Sequence, residues 1–275
     1  MDCLDAEDQA VGRHYDATIF EYETERLRAH TPVEYALTLR YLERYIEPGA
    51  IVAEVGVGGG LYSEFLAKHG CWLHLIDVAQ RLLEVAQERL RAANLDERIL
   101  DVRCASATGI SHVVTGGCDA VLLLGPLYHL RSLEDRQRAL AEAARVLKTG
   151  GLLYAAGINR LAFLRDAFHA RPDYTSERRS FHLEFLRDGN LDPQHAPPLG
   201  YAHLTTSTEL RSLFADAFTE IIFAGVESFT GTSQNLLAAV PEEDAAAWLD
   251  LVEQTGLTAD GIGMSDHFLY IGRRQ

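Results

Sequence analysis

The residues best suited to hold a ligand stand close together at Glu54-Val55-Gly56-Val57-Gly58-Gly59-Gly60. This segment follows a short apolar run and opens a helical pattern. Glycines there let the backbone turn tightly and approach a ligand with no Cβ in the way. The first N–H groups of a helix are unpaired donors. Asp77 stands 21 residues after Gly56, at the end of the next apolar run. A carboxylate in that place accepts hydrogen bonds from both hydroxyls of a ribose. It also suits the N-cap of the helix that follows. Loop and acid together point to an adenosine-type cofactor. A nicotinamide fingerprint, GxGxxG, would place glycine at 61, where this chain has Leu61.

The elements that must carry these residues alternate. Ile51–Val55, Trp72–Ile76, Ile99–Cys104, Ala120–Leu124 and Leu152–Ala156 read as five apolar strands. Helical patterns lie between them at Leu61–His69, Ala79–Ala93 and Leu133–Leu147, the last closed by Thr149-Gly150-Gly151. Continuous apolar strands separated by helices predict a parallel sheet covered on both faces. Before them, Thr31-Pro32 predicts a helix start running to about Ile46, with Thr31 as N-cap. After them the rhythm breaks. Residues 159–205 hold a helical start at Leu161–Phe168, the charged Glu177-Arg178-Arg179 and a loop with Pro193, Pro197 and Pro198. An insertion of that size is usually functional, often a lid. Regular structure returns with a helix over Thr206–Phe218, a strand over Glu220–Val226, a helix over Glu242–Thr255 and a strand over His267–Gly272. The expected organisation is one domain over 1–275. Its parts are an N-terminal helical cap (1–47), a cofactor-binding core (48–158), a lid (159–205) and the rest of the core (206–275).

Composition excludes several function classes. The net charge of −15 over 275 residues repels phosphate backbones, so no nucleic-acid partner is expected. No apolar run approaches the ~20 residues that span a bilayer, and the acidic N-terminus lacks a signal peptide's apolar stretch. A cytoplasmic, membrane-free protein is expected, monomeric or homodimeric. Cys3, Cys71, Cys104 and Cys118 form no CxxC pair and read as small thiols in a reducing compartment.

Beyond the glycine loop, the chain resembles class I S-adenosylmethionine-dependent methyltransferases. Their first motif, (D/E)xGxGxG, is matched by Glu54 to Gly60. Gly125-Pro126-Leu127-Tyr128-His129-Leu130 resembles a segment after the fourth strand in a bacterial subgroup. Ala144-Arg145-Val146-Leu147-Lys148-Thr149-Gly150-Gly151 resembles the helix end before strand five, with Thr149 where proline is common. Ser265 to Arg273 resembles the closing strand. The similarity spans roughly residues 14 to 273. One departure follows strand three. Related chains often carry an acid there, near the adenine amino group, whereas this chain reads Cys104-Ala105-Ser106-Ala107.

The resemblance implies a Rossmann-like, doubly wound, seven-stranded, mostly parallel sheet with an antiparallel last strand, N-terminal helices and a lid after strand five. It implies S-adenosylmethionine as cofactor, S-adenosylhomocysteine as product, and methyl transfer to an oxygen or nitrogen of a small molecule by in-line displacement that needs no metal. Cofactor contacts are expected from Tyr15, Glu54, Gly56, Gly58, Gly60, Asp77, Ser106, Leu124 and Tyr128. The loop after strand four lies at the carboxyl ends of the strands, where substrates approach. His129 is therefore the first candidate base or orienting donor, and His203 the second. His129 packing against its helix is the plainer alternative. Tyr15, Ile19 and Tyr22 also fit a core-facing helical stripe. His169, His182, His195 and His203 fit no tight metal motif. His182 is expected to be a pocket wall or surface residue, and His267 structural; Glu227 is within possible reach of the pocket. The competing readings are a non-catalytic S-adenosylmethionine-binding regulator and, more remotely, a nicotinamide-dependent reductase.

Overall fold

A computed structural model describes residues 4–170, 172, 176–196 and 199–275. Cys3, Pro197 and Pro198 lie outside the described residues. Three helices open the chain: α1 (Ala6–Arg13), α2 (Phe20–Ala29) and α3 (Pro32–Tyr45), with a π-helical turn, His14–Thr18, between the first two. The alternating core follows as β1 (Ile51–Val55), α4 (Leu61–Lys68), β2 (Trp72–Asp77), α5 (Gln80–Ala92), β3 (Ile99–Cys104), β4 (Cys118–Leu123), α6 (Leu133–Val146) and β5 (Leu147–Ile158). The insertion holds α7 (Arg160–Ala170), α8 (Ser176–Asp188) and a two-stranded sheet of β6 (Asn190–Leu191) with β7 (Ala202–His203). The chain closes with α9 (Ser207–Ser212), β8 (Phe218–Gly225), a 3-10 stretch over Ser228–Ala239, α10 (Glu242–Gly256), α11 (Ala259–Met264) and β9 (His267–Arg274).

The main sheet has the order β3-β2-β1-β4-β5-β9-β8. β1 pairs in parallel with both β2 and β4, and β9 runs antiparallel between β5 and β8. The expected Rossmann-like sheet with an antiparallel last strand is therefore present. The strand order reverses between β1 and β4, the place where ligands bind in open α/β sheets.

Period-two alternation explains why the strands read as unbroken apolar runs. Val52 and Leu122 face a cluster with Leu37, Tyr41 and Leu66 on one side of the sheet. Ala53, Val121 and Leu123 face Leu140 and Ala143 of α6 on the other. Both faces are covered, so every position favours an apolar side chain. A smaller cluster under the insertion joins Tyr128, Ile158, Phe185 and Leu204. Arg160 fastens the insertion there. Buried, it donates to the carbonyls of Leu204 and Leu186 and pairs with Glu209 at 2.8 Å.

Some local expectations differ from the structure. Thr149-Gly150-Gly151 does not close α6 but lies inside β5. Pairing with β4 steps from Cys118–Leu147 to Ala120–Leu152, and the extra residues form a bulge at Gly150, whose φ is +79°. The helix expected over Thr206–Phe218 is only α9, closed at its start by a capping box between Thr206 and Glu209. Thr31 precedes α3, but its hydroxyl serves Arg26 rather than the helix N–H groups. Cys71 and Cys118 are buried, and burial pushes both thiols up to about 11; Cys104 is exposed.

Candidate active site

β1 ends where the glycine loop begins, and three of its glycines take positive φ: Gly56 at +83°, Gly58 at +53° and Gly60 at +75°. Two are also confined sterically. A Cβ on Gly56 would lie 2.7 Å from Pro126 Cδ, and one on Gly60 would lie 2.7 Å from Ala86 Cα of α5. The loop is tied to the end of β2 by Asp77, which accepts from Gly58 N at 3.0 Å and Ala79 N at 2.9 Å. Burial pushes the Asp77 carboxyl up, and these backbone donors oppose that shift. Asp77 is an acid on the cavity wall but not the N-cap of α5. Ala79 holds that position, no side chain caps the helix, and the Asp77 carboxylate instead ties the residue before the helix to the glycine loop.

A narrow cavity of about 90 Å³ runs along this loop. Tyr15, Gly56, Gly58, Asp77, Ser106, Leu124, Tyr128 and His129 all line it. Glu54 and Gly60 are not among its lining residues. The Glu54 carboxyl turns to Ser63 Oγ of α4 at 2.5 Å, and burial pushes its pKa up to about 8. Gly60 lets α4 start against α5. The (D/E)xGxGxG pattern therefore mixes cavity-lining residues with residues that hold helix to strand.

His129 is fully committed. Its Nδ1 lies 2.9 Å from the Tyr201 carbonyl, which only accepts, so Nδ1 carries the proton. Nε2 must then accept from the Tyr15 hydroxyl, 2.7 Å away. Burial pushes the imidazole down to about 4, so it is neutral at pH 7. His203 sits in β7 with Nδ1 3.0 Å from Asn190 Oδ1, and burial pushes it down to about 4 as well. It lines neither this cavity nor the one described next.

A second cavity, of about 1030 Å³, opens beside the first. The two share Tyr15, Glu23, Arg26 and Tyr128. The insertion supplies an aromatic side: Phe163, Phe181, His182 and His195 line it, with Phe181 and His195 stacked at 4.1 Å. His182 is thus a wall residue.

On the opposite side stand charged groups that the sequence did not single out for this role. Arg26 of α2 pairs with Glu34 at 2.9 Å and Glu23 at 3.3 Å. His267, at the start of β9, lines the chamber. Its Nδ1 is 2.5 Å from Glu227 Oε1, and its backbone N–H donates to the other oxygen at 2.9 Å. Burial alone would push His267 down, but Glu34 and Glu227 outweigh it and its pKa is raised. Glu34, Glu227 and His267 each place one ligand-type atom within 4.8 Å of the others. Those atoms are already engaged with Arg26 and with one another. Glu227, fully buried after β8, lines neither cavity and meets the chamber only through His267. His267 read as structural because a strand residue in an apolar run gives no sign of which cavity it meets.

The acids and glycines of the narrow cavity fit S-adenosylmethionine. Asp77 suits a ribose diol. Glu23 Oε1 lies 3.2 Å from where a Gly58 Cβ would be, so a carboxylate stands over the glycine loop and suits a cationic ligand. Among the described residues no helix is long and apolar enough to cross a membrane.

Residues 53–155 match the methyltransferase domain family. A ubiquinone biosynthesis O-methyltransferase of Xanthomonas axonopodis pv. citri is 35% identical over 136 residues, 49% of this chain and 52% of that protein. Its counterpart in Coxiella burnetii is 31% identical over 123 residues, 44% and 50% of the two chains. The chain spans about half the length of the curated relatives it matches. These relatives are named for methyl transfer, which favours neither the reductase reading nor the non-catalytic one. Among solved structures, the [4+2]-cyclase SpnF aligns with a TM-score of 0.62 at 19% identity, covering 97% of this chain and 95% of that one. The N-methyltransferase NodS of Bradyrhizobium japonicum, bound to S-adenosylhomocysteine, aligns at 0.57 with 16% identity over 98% and 99%. Residues 53–155 are similar to methyltransferase domains, and the chain as a whole has the Rossmann-like fold of class I S-adenosylmethionine-dependent methyltransferases.

Proposed function

We propose that the protein transfers a methyl group from S-adenosylmethionine to an oxygen or nitrogen of a small molecule. One observation carries the reading: the glycine-loop cavity and the large chamber meet at Tyr15, Glu23, Arg26 and Tyr128. A cofactor along the loop would present its methyl group at that junction, and an acceptor in the chamber would face it. S-adenosylmethionine, when bound, supplies a sulfonium-activated carbon for in-line displacement.

The chain's own groups position, desolvate and accept protons. Tyr15, held by His129, fixes one side of the junction. Burial keeps the Tyr15 hydroxyl protonated, so it acts as a fixed dipole. His267, with Nδ1 committed to Glu227, has Nε2 left to take a proton from an acceptor hydroxyl or ammonium. His129 and His203 are positioning residues in this scheme, the first for Tyr15 and the second for Asn190. Glu54 and Gly60 act on the cofactor only through the helices they hold.

The fold also serves a protein named as a cyclase, and fold alone does not select the chemistry. The discriminating experiment incubates the protein with S-adenosylmethionine and a panel of phenols, catechols and amines. Acceptor-dependent S-adenosylhomocysteine is the expected product. Tight cofactor binding with no turnover across the panel would sink the methyltransferase reading and favour a binding or non-methylating role.

A further inference from the structure

The sequence leaves the adenine end of the cavity without the acid that often follows strand three, offering Ser106 instead. Ser106 is poorly placed to replace it alone. Its Oγ lies 2.9 Å from Thr108 Oγ1 and accepts from Thr108 N at 3.3 Å. Its hydrogen-bonding capacity is largely spent inside its own turn.

An acid reaches the same place from the other end of the chain. Asp8 of α1 lines the narrow cavity together with Val78, Leu82, Ala105 and Ser106, and the Ser106 hydroxyl beside it opposes the rise that burial gives its carboxyl. The helix is held there by close packing. A Cβ on Gly12 would lie 2.5 Å from the Val78 carbonyl, so α1 rests its backbone directly on the residue after Asp77. Asp5 caps α1 by accepting from Asp8 N at 2.8 Å. Asp16, in the π-helical turn, accepts from Arg81 N at 2.9 Å, and Glu7 pairs with Arg131.

We propose that Asp8 is the adenine-recognition acid of this protein, supplied by α1 in place of the usual residue after strand three. The assignment rests on the S-adenosylmethionine reading above. A carboxylate has two acceptor oxygens. Even with Ser106 beside it, the carboxylate on the cavity wall keeps acceptor capacity, matched to the exocyclic amino group of adenine. An oxo group at the same ring position would meet this carboxylate acceptor to acceptor. Burial pushes the Asp8 carboxyl up even with Ser106 beside it, and an amino donor would relieve that cost. Because the acid rides on α1, cofactor binding and closure of the N-terminal helices become one event.

The test measures binding of S-adenosylhomocysteine and its deaminated analogue S-inosylhomocysteine by calorimetry to the full chain. Wild type should prefer the amino form. Asp8→Ala should weaken S-adenosylhomocysteine by about tenfold or more, the scale of a charge-assisted hydrogen bond, and collapse the preference. Adding Ser106→Asp to Asp8→Ala should restore both. Hydrogen exchange over residues 6–13 should slow on binding S-adenosylhomocysteine in wild type and less so in Asp8→Ala. An Asp8→Ala protein that keeps wild-type affinity and preference overturns the assignment, as does one that loses affinity for both ligands equally. Wild type that binds neither ligand would instead remove the cofactor reading on which the assignment stands.

Discussion

The two cavities are built in different ways. The narrow one is assembled mainly from strand ends and the turns just after them: Gly56 and Gly58 after β1, Asp77 at the end of β2, Ser106 after β3, Leu124 and Tyr128 after β4. The chamber takes its walls from α2, α7, α8 and the 3-10 stretch, with His267 from the last strand. Parallel strand ends converge whatever the sequence of the helices between them, so the first kind of site follows from topology. The second kind depends on how separately folded pieces pack. It is accordingly the part free to change with the acceptor.

The largest expected effect lies in the narrow cavity. Asp77→Ala removes the acceptor of two backbone N–H groups as well as the proposed ribose contact. We expect S-adenosylhomocysteine affinity to fall about 100-fold or more by calorimetry, since each charge-assisted bond contributes about 1.5–3 kcal/mol. Retained affinity would mean that the loop, not the acid, carries recognition.

In the chamber, His267→Ala should lower kcat by about 100-fold while leaving S-adenosylhomocysteine affinity nearly unchanged. The base must be neutral to act, and its pKa is raised above the ordinary 6.5. The wild-type rate should therefore climb with pH above that value. Glu227→Gln removes one of the carboxylates that raise it, so the climb should move to lower pH. A rate profile that His267→Ala leaves unchanged would show that chemistry does not use this side of the chamber.

Smaller effects separate structure from recognition. Gly60→Ala introduces a Cβ 2.7 Å from Ala86 Cα at a φ of +75°. A loss of about 1–3 kcal/mol in chemical denaturation is expected. Tyr15→Phe leaves His129 Nε2 without its donor and should cost about 1 kcal/mol of stability. Its effect on turnover measures how far the junction depends on that hydroxyl.

A pH-dependent effect on stability concerns Glu54. Its folded pKa, about 8, lies above the unfolded 4.5. The native state keeps a proton that the unfolded chain releases, so stability declines as pH rises from about 4.5 to about 8. Glu54→Gln should flatten that decline in denaturation measured across the window.

Legibility in the sequence follows the same division. β1, β2 and β4 were readable because both faces of each are largely buried, which forces apolar runs, whereas β3, an edge strand with no fully buried residue, was readable from its place in the alternation. Gly56 and Asp77 were readable because a positive φ and a strand-end acid are demands on single positions. Glu23, Arg26 and Asp8 were not, because a polar residue on an amphipathic helix looks the same whether it meets water or a cavity. His129 was correctly located beside the glycine loop, but its commitment to Tyr15 and the Tyr201 carbonyl joins positions 114 and 72 residues apart.

The sequence by itself determined the alternation of strands and helices, the sheet that follows from it, and the glycine–acid pair at its switch point. These depend on local periodicity and on backbone constraints at individual residues. Only the tertiary structure decided what closes over that pair. It brought Asp8 to Ser106, set Glu23 above the glycine loop, turned Glu54 away from the cavity and joined Glu227 to His267 at the chamber wall. The physical reason is that hydrogen bonds and buried charges act over a few ångströms in space, and separation along the chain does not record that distance.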